Sequence, residues 1–250
     1  MYDDLDRPPL RPAALSRALA AQGWRVEVLA ETGSTNAVVA DRAGQGEPAG
    51  LVVVAEHQTA GRGRLDRSWV SPPRAGLTFS VLLRPDLPSS RWPWLPLWAG
   101  AAVALALQEQ AGVPARLKWP NDVLVGGRKV CGLLAEVVKG GAVVLGVGLN
   151  VTTRSDELPE EQATSLRLEG ASTTDRVTLL KAVLRRLTDQ LSARDPDVYR
   201  RLSDTVGRRV RIELPGGSHR EGMAEAVDDS GRLVVDGTAY AAGDVIHLRA

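Results

Sequence analysis

A single cysteine, Cys131, in 250 residues leaves no internal disulfide framework and fits a reducing compartment. Lysine is scarce too: Lys118, Lys129, Lys139 and Lys181 are four of 31 basic residues. In so arginine-biased a chain, a lysine within a polar or glycine-rich motif points to a need for its compact ammonium. Net charge is only +1, so no global field recruits nucleic acid or an anionic membrane. Any anion binding must be local. The longest apolar run, residues 92–107, contains prolines and is too short to span a bilayer. The acidic start, Met1-Tyr2-Asp3-Asp4-Leu5-Asp6, has neither the basic nor the apolar region of a signal peptide. A cytoplasmic protein without membrane attachment is expected.

The length suits one large domain or a large and a small one, and 44% hydrophobic with 24% charged residues is ordinary for a globular protein. Residues 1–12 are polar and proline-rich, which predicts a loose arm, and a short helix follows over 13–22. Alternation predicts a strand at 24–28. Glu31-Thr32-Gly33-Ser34-Thr35-Asn36 leads into a helix at 37–43, which Ser34, Thr35 or Asn36 can cap. Strands are expected at 51–55 and 77–83, then a buried helix within 93–112 whose tryptophans 92, 94 and 98 pack at its start. Glycine pairs 126–127 and 140–141 turn three consecutive antiparallel strands from about 122 to 151. Gly132, Gly146 and Gly148 inside them suggest a ligand approaching the backbone. Period two sets Lys129 and Cys131 on one face, where a ligand would shield Cys131 from alkylation. A polar loop spans 152–175, an amphipathic helix 176–193, and Asp195-Pro196 caps another short helix. From about Gly207 short alternating runs imply a small all-β module. The expected division is 1–23 (arm and helix), 24–205 (catalytic) and 206–250.

Between the strands at 51–55 and 77–83 lies Gln58-Thr59-Ala60-Gly61-Arg62-Gly63-Arg64-Leu65-Asp66-Arg67-Ser68-Trp69. A loop this long inside a compact domain is unusual unless it binds something or is disordered. Glycines alternating with arginines read as a cationic lid for a small anion. With Lys129, with Asn121 and Asp122 on a turn, and with the 34–36 turn, spacing reaches an anion-binding pocket with a lid and no further. Joining a carboxylate to a nucleotide phosphate would need such a set, because two anions must be brought together.

The segments Gly61-Arg62-Gly63-Arg64 before Trp69, Lys118-Trp119-Pro120-Asn121-Asp122, Lys129 with Gly132-Leu133-Leu134-Ala135-Glu136, and Gly146-Val147-Gly148-Leu149-Asn150 resemble the biotin protein ligase family, in the family's order. The resemblance covers about residues 24–250. It implies an α+β fold: a class II synthetase-like catalytic domain with a mixed/antiparallel sheet flanked by helices, then an SH3-like all-β domain. The implied reaction makes biotinyl-5′-AMP from biotin and ATP with Mg²⁺, then moves biotin to a lysine of the biotin carboxyl carrier domain of acyl-CoA or pyruvate carboxylases. By the same resemblance Ser34, Thr35, Asn36 and Gln58 surround the biotin head group. Gly61, Arg62, Gly63 and Arg64 fold over the intermediate, with Trp69 at the lid's far edge. Lys129 bridges the biotin carboxylate and the α-phosphate, and with Arg64 is the implied catalytic pair. Gly132, Gly146 and Gly148 form the floor. Arg62, Lys118, Asn121, Asp122, Asn150 and Arg249 are implied on the ATP side, with Asp122 towards the metal.

Two departures stand out. Many members continue the lid as Gly-Arg-Gly-Arg-Arg-Gly-Arg, whereas Leu65 and Asp66 here replace a cation and a glycine. The DNA-binding head of repressor-type members is missing, so no operator binding is expected, and a monomer or weak homodimer is. Rival readings are a lipoate or octanoyl ligase, a nucleic-acid binder using Arg-Gly-Arg in a minor groove, and a small-molecule sensor without catalysis.

Overall fold

The structure, a computed structural model, describes residues 6–65, 67–159 and 162–248. Helix α1 (Pro12–Ala20) precedes strand β1 (Arg25–Leu29), helix α2 (Thr35–Gly44) and strands β2 (Leu51–Ala55) and β3 (Gly76–Leu83). Helix α3 (Trp94–Ala111) leads into strands β4 (Arg116–Lys118), β5 (Asp122–Val125), β6 (Arg128–Val138) and β7 (Ala142–Asn150), then helices α4 (Arg176–Ala193) and α5 (Pro196–Leu202). The first seven strands form one mixed sheet in the order β1-β2-β3-β7-β6-β5-β4, parallel only between β1 and β2.

The central strands β2, β3 and β7 are buried at every residue, which is why they read as continuous apolar runs rather than alternating ones. Helices α3 and α4 cover one face of the sheet. At Gly100 of α3 a Cβ would lie 3.4 Å from Leu117 Cδ2, so a small residue keeps helix and sheet close. On the other face α2 packs Val39 and Ala43 against Val53, Leu82 and Val144. Trp94 and Trp98 are fully buried and stacked, with Tyr199 edge-on to Trp94; they are packing, as their positions predicted. Asp175 and Asp195 cap α4 and α5 by accepting from Thr178 N (2.9 Å) and Asp197 N (2.8 Å).

Strands β8 (Arg209–Glu213), β9 (His219–Val227), β10 (Leu233–Val235), β11 (Thr238–Tyr240) and β12 (Asp244–His247) make a separate antiparallel sheet in the order β11-β10-β9-β8-β12. Two indoles tie it to the larger unit: Trp94 Nε1 donates to Asp229 O (2.9 Å) and Trp119 Nε1 to Gly231 O (3.1 Å).

Two expectations need correction. The loose arm is docked over its described part. Leu10 is buried, Arg7 pairs with Glu157, and Arg176 donates to Pro8 O at 2.7 Å. Arg176 also forms a buried ion pair with Glu56 at 2.6 Å, and Leu10 N donates to Glu56 Oε1 at 2.5 Å. Polar composition promised solvent; a buried charge pair seeking further hydrogen bonds captured the backbone instead. Second, Lys129 and Cys131 do not share a face. Val123 pairs with Cys131 and Leu124 with Lys129, so Val130 is an extra, bulged residue, and the alternation slips by one. Cys131 is fully buried in the core, and burial raises its thiol pKa above the ordinary range.

His247 of β12 is half-buried beside Lys118, and its Nε2 lies 3.1 Å from Thr205 Oγ1. Burial first, then the Lys118 charge, pushes its pKa from 6.5 down to about 4, with Asp204 opposing. The unfolded chain therefore takes up this proton near pH 6.5 and the folded one near 4. Stability contributed by neutral His247 is full above pH 6.5 and falls as pH drops towards 4. Urea unfolding should show a loss of roughly 1–2 kcal/mol between pH 7 and 5 that His247→Gln reduces; an unchanged pH slope in the variant would reject the assignment.

Candidate active site

The site lies on the open part of the sheet face that α2 only partly covers. Its first wall is the turn between β1 and α2. Thr35 and Asn36 are inside the helix, and Ser34 at its N-cap makes no side-chain cap bond. The cap comes from the lid instead: Gln58 Oε1 accepts from Thr35 N at 2.8 Å and lies 3.0 Å from Thr35 Oγ1. Residues 32–33 and 58–60 run side by side, with Thr59 N donating to Thr32 O and Ala60 N to Gly33 O, both at 2.9 Å. The head-group turn and the root of the lid are thus one hydrogen-bonded unit. Ser80 of β3, fully buried, reaches Thr35 Oγ1 (2.7 Å) and Asn36 Oδ1 (2.6 Å).

The floor is a glycine strip across β6 and β7, with Gly132 opposite Gly148. A Cβ at Gly148 would fall 2.3 Å from the Trp69 ring, and one at Gly146 2.3 Å from Asn36 Oδ1. One at Gly132 would lie 3.2 Å from both Trp69 Cζ3 and Lys129 Cε. These glycines serve close approach: a side chain at Gly146 or Gly148 would displace Asn36 or Trp69, and one at Gly132 would press on Trp69 and Lys129. Trp69 rests on the strip, and its Nε1 is buried with no hydrogen-bond partner among the described residues.

The lid over 58–69 is a short hairpin. Trp69 N donates to Gly61 O (2.9 Å), Gly63 N to Arg67 O (2.6 Å), and Leu65 turns the tip at φ 52°. Each arginine is anchored. Arg62 donates to Glu136 Oε2 at 3.0 Å. Arg64 donates to Asn121 Oδ1 (3.2 Å) and to Gly243 O and Asp244 Oδ1 (both 3.3 Å), and Arg67 also pairs with Asp244. Burial lowers the Arg64 pKa, with Asp244 opposing. Asp66 lies outside the described residues.

Beneath the lid Lys129 Nζ pairs with Asp122 Oδ1 at 2.7 Å. The bulge at Val130 directs Lys129 over the strip, since its Nζ would stand 3.4 Å from a Cβ at Gly132. Lys118, opposite Asp122 in the β4–β5 pair, is half-buried, and burial pushes its ammonium pKa down while Asp122 resists. Asn121 Nδ2 donates to Leu133 O at 2.9 Å, which pins the turn to β6; the Trp119–Pro120 peptide within it is cis. A cavity of about 510 Å³ opens beside this cluster, between the lid (Arg62, Arg64), Trp119, Asn121, Leu134 and Glu136.

Most of the residues picked from sequence thus converge. Asn150 is the exception in position: it is buried, and its Nδ2 donates to Thr164 O at 3.0 Å. That loop in turn brackets the Lys129 backbone, through Lys129 N to Gln162 O and Thr164 N to Lys129 O, both 2.8 Å. Arg249 lies outside the described residues. Three participants escaped the sequence reading. Ser80 was visible only as a hydroxyl in an apolar strand, Glu136 only as the end of a motif, and Asp244 not at all.

Fixed cations facing a carboxylate-bearing turn, under a lid and above a glycine floor, define the class: a lidded anion-binding domain with an appended all-β module. Residues 28–151 match the Biotin/lipoate A/B protein ligase family and residues 205–248 the Biotin protein ligase C terminal domain. The biotin–[acetyl-CoA-carboxylase] ligase of Mycobacterium tuberculosis is 45% identical, over 97% of this chain and 97% of its own. Biotin protein ligase from Aquifex aeolicus in complex with biotin and ATP superposes with a TM-score of 0.76 at 31% identity, over 90% of this chain and 99% of its own. The Leishmania major enzyme in complex with biotinyl-5-AMP gives 0.64 at 27% identity, over 90% and 99%. The chain belongs to the biotin protein ligase family. None of its described helices is long and apolar enough to cross a membrane.

Proposed function

We propose that this chain joins biotin to ATP and then biotinylates a lysine of a biotin carboxyl carrier domain, within residues 24–205 and with 206–250 closing the nucleotide side. The Lys129–Asp122 pair above the glycine strip, 2.7 Å across, is the observation that carries this reading. A biotin carboxylate oxygen attacks the α-phosphorus, the bond from that phosphorus to the β-bridging oxygen breaks, and pyrophosphate leaves. Lys129 sits where both anions meet, and its ammonium offsets their repulsion. Its resting partner Asp122 keeps the cation in place until they arrive. The carrier lysine's neutral amine then attacks the acyl carbon, AMP departs with the bonding electrons, and the nitrogen gives up one proton to solvent.

Biotin's ureido ring is neutral but rich in donors and acceptors, and the Ser34–Thr35–Asn36 turn with Gln58 offers hydroxyls and amides to it. The apolar ring and chain lie along the glycine strip beside Trp69, whose indole rests directly on Gly148 and Gly132. Lys118, Asn121 and Arg62 face the nucleotide. Among the described residues no three metal-ligating side chains cluster. That fits Mg²⁺ entering with the nucleotide, where one or two carboxylates plus phosphates commonly suffice and Asp122 is the available carboxylate. The ion would neutralise phosphate charge there. The carrier is that of an acyl-CoA or pyruvate carboxylase, and the chain works as a monomer or weak homodimer without DNA.

Biotin-dependent ATP–pyrophosphate exchange by the purified protein is the direct test. No exchange with biotin, or faster exchange with lipoate, would sink the reading. The lid adds a second expectation. Arg64→Ala removes bonds to Asn121, Gly243 and Asp244, so biotinyl-AMP should escape about 10–100-fold faster, the scale of a lost charge-assisted bond. Asp244→Ala should give the same direction through Arg64 and Arg67. Equal retention of adenylate by both variants and wild type would remove the lid's role.

A further inference from the structure

The polar wall of the pocket continues into a hydrogen-bond chain that ends on the lid. Asn36 is its centre. The Asn36 amide lies against Gly146, with Oδ1 2.6 Å from the Ser80 hydroxyl and Nδ2 2.6 Å from Glu136 Oε2. A carboxylate only accepts, so Nδ2 must face Glu136 and Oδ1 must face Ser80. Ser80 then spends its one proton on Oδ1, while the Thr35 hydroxyl, 2.7 Å from Ser80 Oγ and 3.0 Å from Gln58 Oε1, has one proton for those two acceptors. The direction runs from Ser80 to Asn36 to Glu136. The same Glu136 oxygen accepts from Arg62 Nη2 at 3.0 Å. Asn36 and Arg62, from the head-group turn and the lid, therefore meet on one carboxylate oxygen of β6.

We propose that Glu136 is a positioning residue that couples the head-group pocket to lid closure, holding Asn36 from one side and Arg62 from the other. The inference rests on the biotin reading above. With Asn36 Nδ2 and Arg62 sharing one acceptor, a displacement of the turn shifts the lid's anchor. Ordering the turn around a ureido ring sets that anchor in its closing position. Charge is essential: hydrogen bonds to an ionised acceptor are about twice as strong as neutral ones, and Arg62 is half exposed, where a neutral acceptor would compete poorly with water.

Glu136→Gln preserves shape and removes the charge. Biotin affinity by calorimetry should fall about tenfold, and biotinyl-AMP release should rise by a similar factor. Biotin should slow trypsin cleavage after the lid arginines in wild type and lose that effect in the variant, a readout that a merely structural role at matched thermal midpoint would not move. Adding Arg62→Ala to Glu136→Gln should have little further effect, since both break one link. Should Glu136→Gln fold poorly, Arg62→Ala alone, at an exposed position, is expected to release adenylate about tenfold faster, and wild-type retention would overturn the coupling. Wild-type affinity and protection in Glu136→Gln, or independent multiplying effects in the double variant, would overturn it as well. A wild-type protein without biotin-dependent pyrophosphate exchange overturns the ligase reading and this coupling together, whereas an active wild type with an indifferent Glu136→Gln rejects the coupling alone.

Discussion

Lys129→Ala is expected to lower biotin-dependent pyrophosphate exchange by about 10²–10³-fold, the range for losing one preorganised charge-stabilising group. Lys129 is a point charge on a rigid strand, held over the strip by the bulge at Val130 and bracketed on its backbone by residues 162 and 164. Among the described residues no cation stands ready to replace it: Arg62, Arg64 and Arg67 are engaged with Glu136, Asn121 and Asp244, and Lys118 sits across Asp122 on the outer strand. Lys129→Arg should rescue poorly. A guanidinium is planar and broader than an ammonium, and the distance to a Cβ position on Gly132 is only 3.4 Å. The ion pair with Asp122 is about one-third exposed on the lysine side, so folding should survive and the loss should appear in the chemical step. Exchange within about tenfold of wild type, at matched folding, would contradict the bridging role.

Arg176→Ala should be the most damaging substitution for stability, by about 3–5 kcal/mol, the scale for leaving one member of a buried ion pair unpartnered. Arg176 and Glu56 side chains are 6% and 10% exposed. Without the guanidinium, Glu56 keeps a charge in the interior, and Gly76 O and Pro8 O each lose a donor. A loss of this size is a large part of a typical domain's 5–15 kcal/mol or so. Replacing both partners, as in Glu56→Gln with Arg176→Met, should be milder than Arg176→Ala because no unpaired charge is left. Urea unfolding of the three proteins checks this, and a double variant no better than the single one would place the cost elsewhere. The pair also matters for the site. Glu56 is the residue from which the lid departs, and its carbonyl accepts from Arg74 N at 2.8 Å, so both roots of the lid meet there.

Much of this site is legible in the order of residues. Gly61-Arg62-Gly63-Arg64, Lys129 and the three floor glycines carry chemistry that needs those side chains, or the lack of one, at those points. Where the reading failed, the missing information was non-local. Period two assigned Lys129 and Cys131 to one face because nothing in Arg128-Lys129-Val130-Cys131 announces a bulge; the register against β5 creates it. Ser34, Thr35 and Asn36 were each eligible to cap α2, but Gln58, 23 residues away, took the position. Residues 1–12 read as an arm because the buried partners of Pro8 and Leu10, Arg176 and Glu56, belong to distant segments.

By itself the sequence determined the elements and the chemistry: buried strands as unbroken β-branched runs, helices by their 3.6-residue repeat, turns by paired glycines, and a cationic loop suited to anions. Those are properties of a residue and its near neighbours, set by backbone sterics and by which side chains water rejects. Tertiary structure alone decided who holds whom. It brought Asp244 to Arg64 across 180 residues and Glu136 to Asn36 across 100, and it turned Lys129 inward. Such pairings follow from strand register and from the satisfaction of buried charges, which depend on the whole packed chain and leave no local trace.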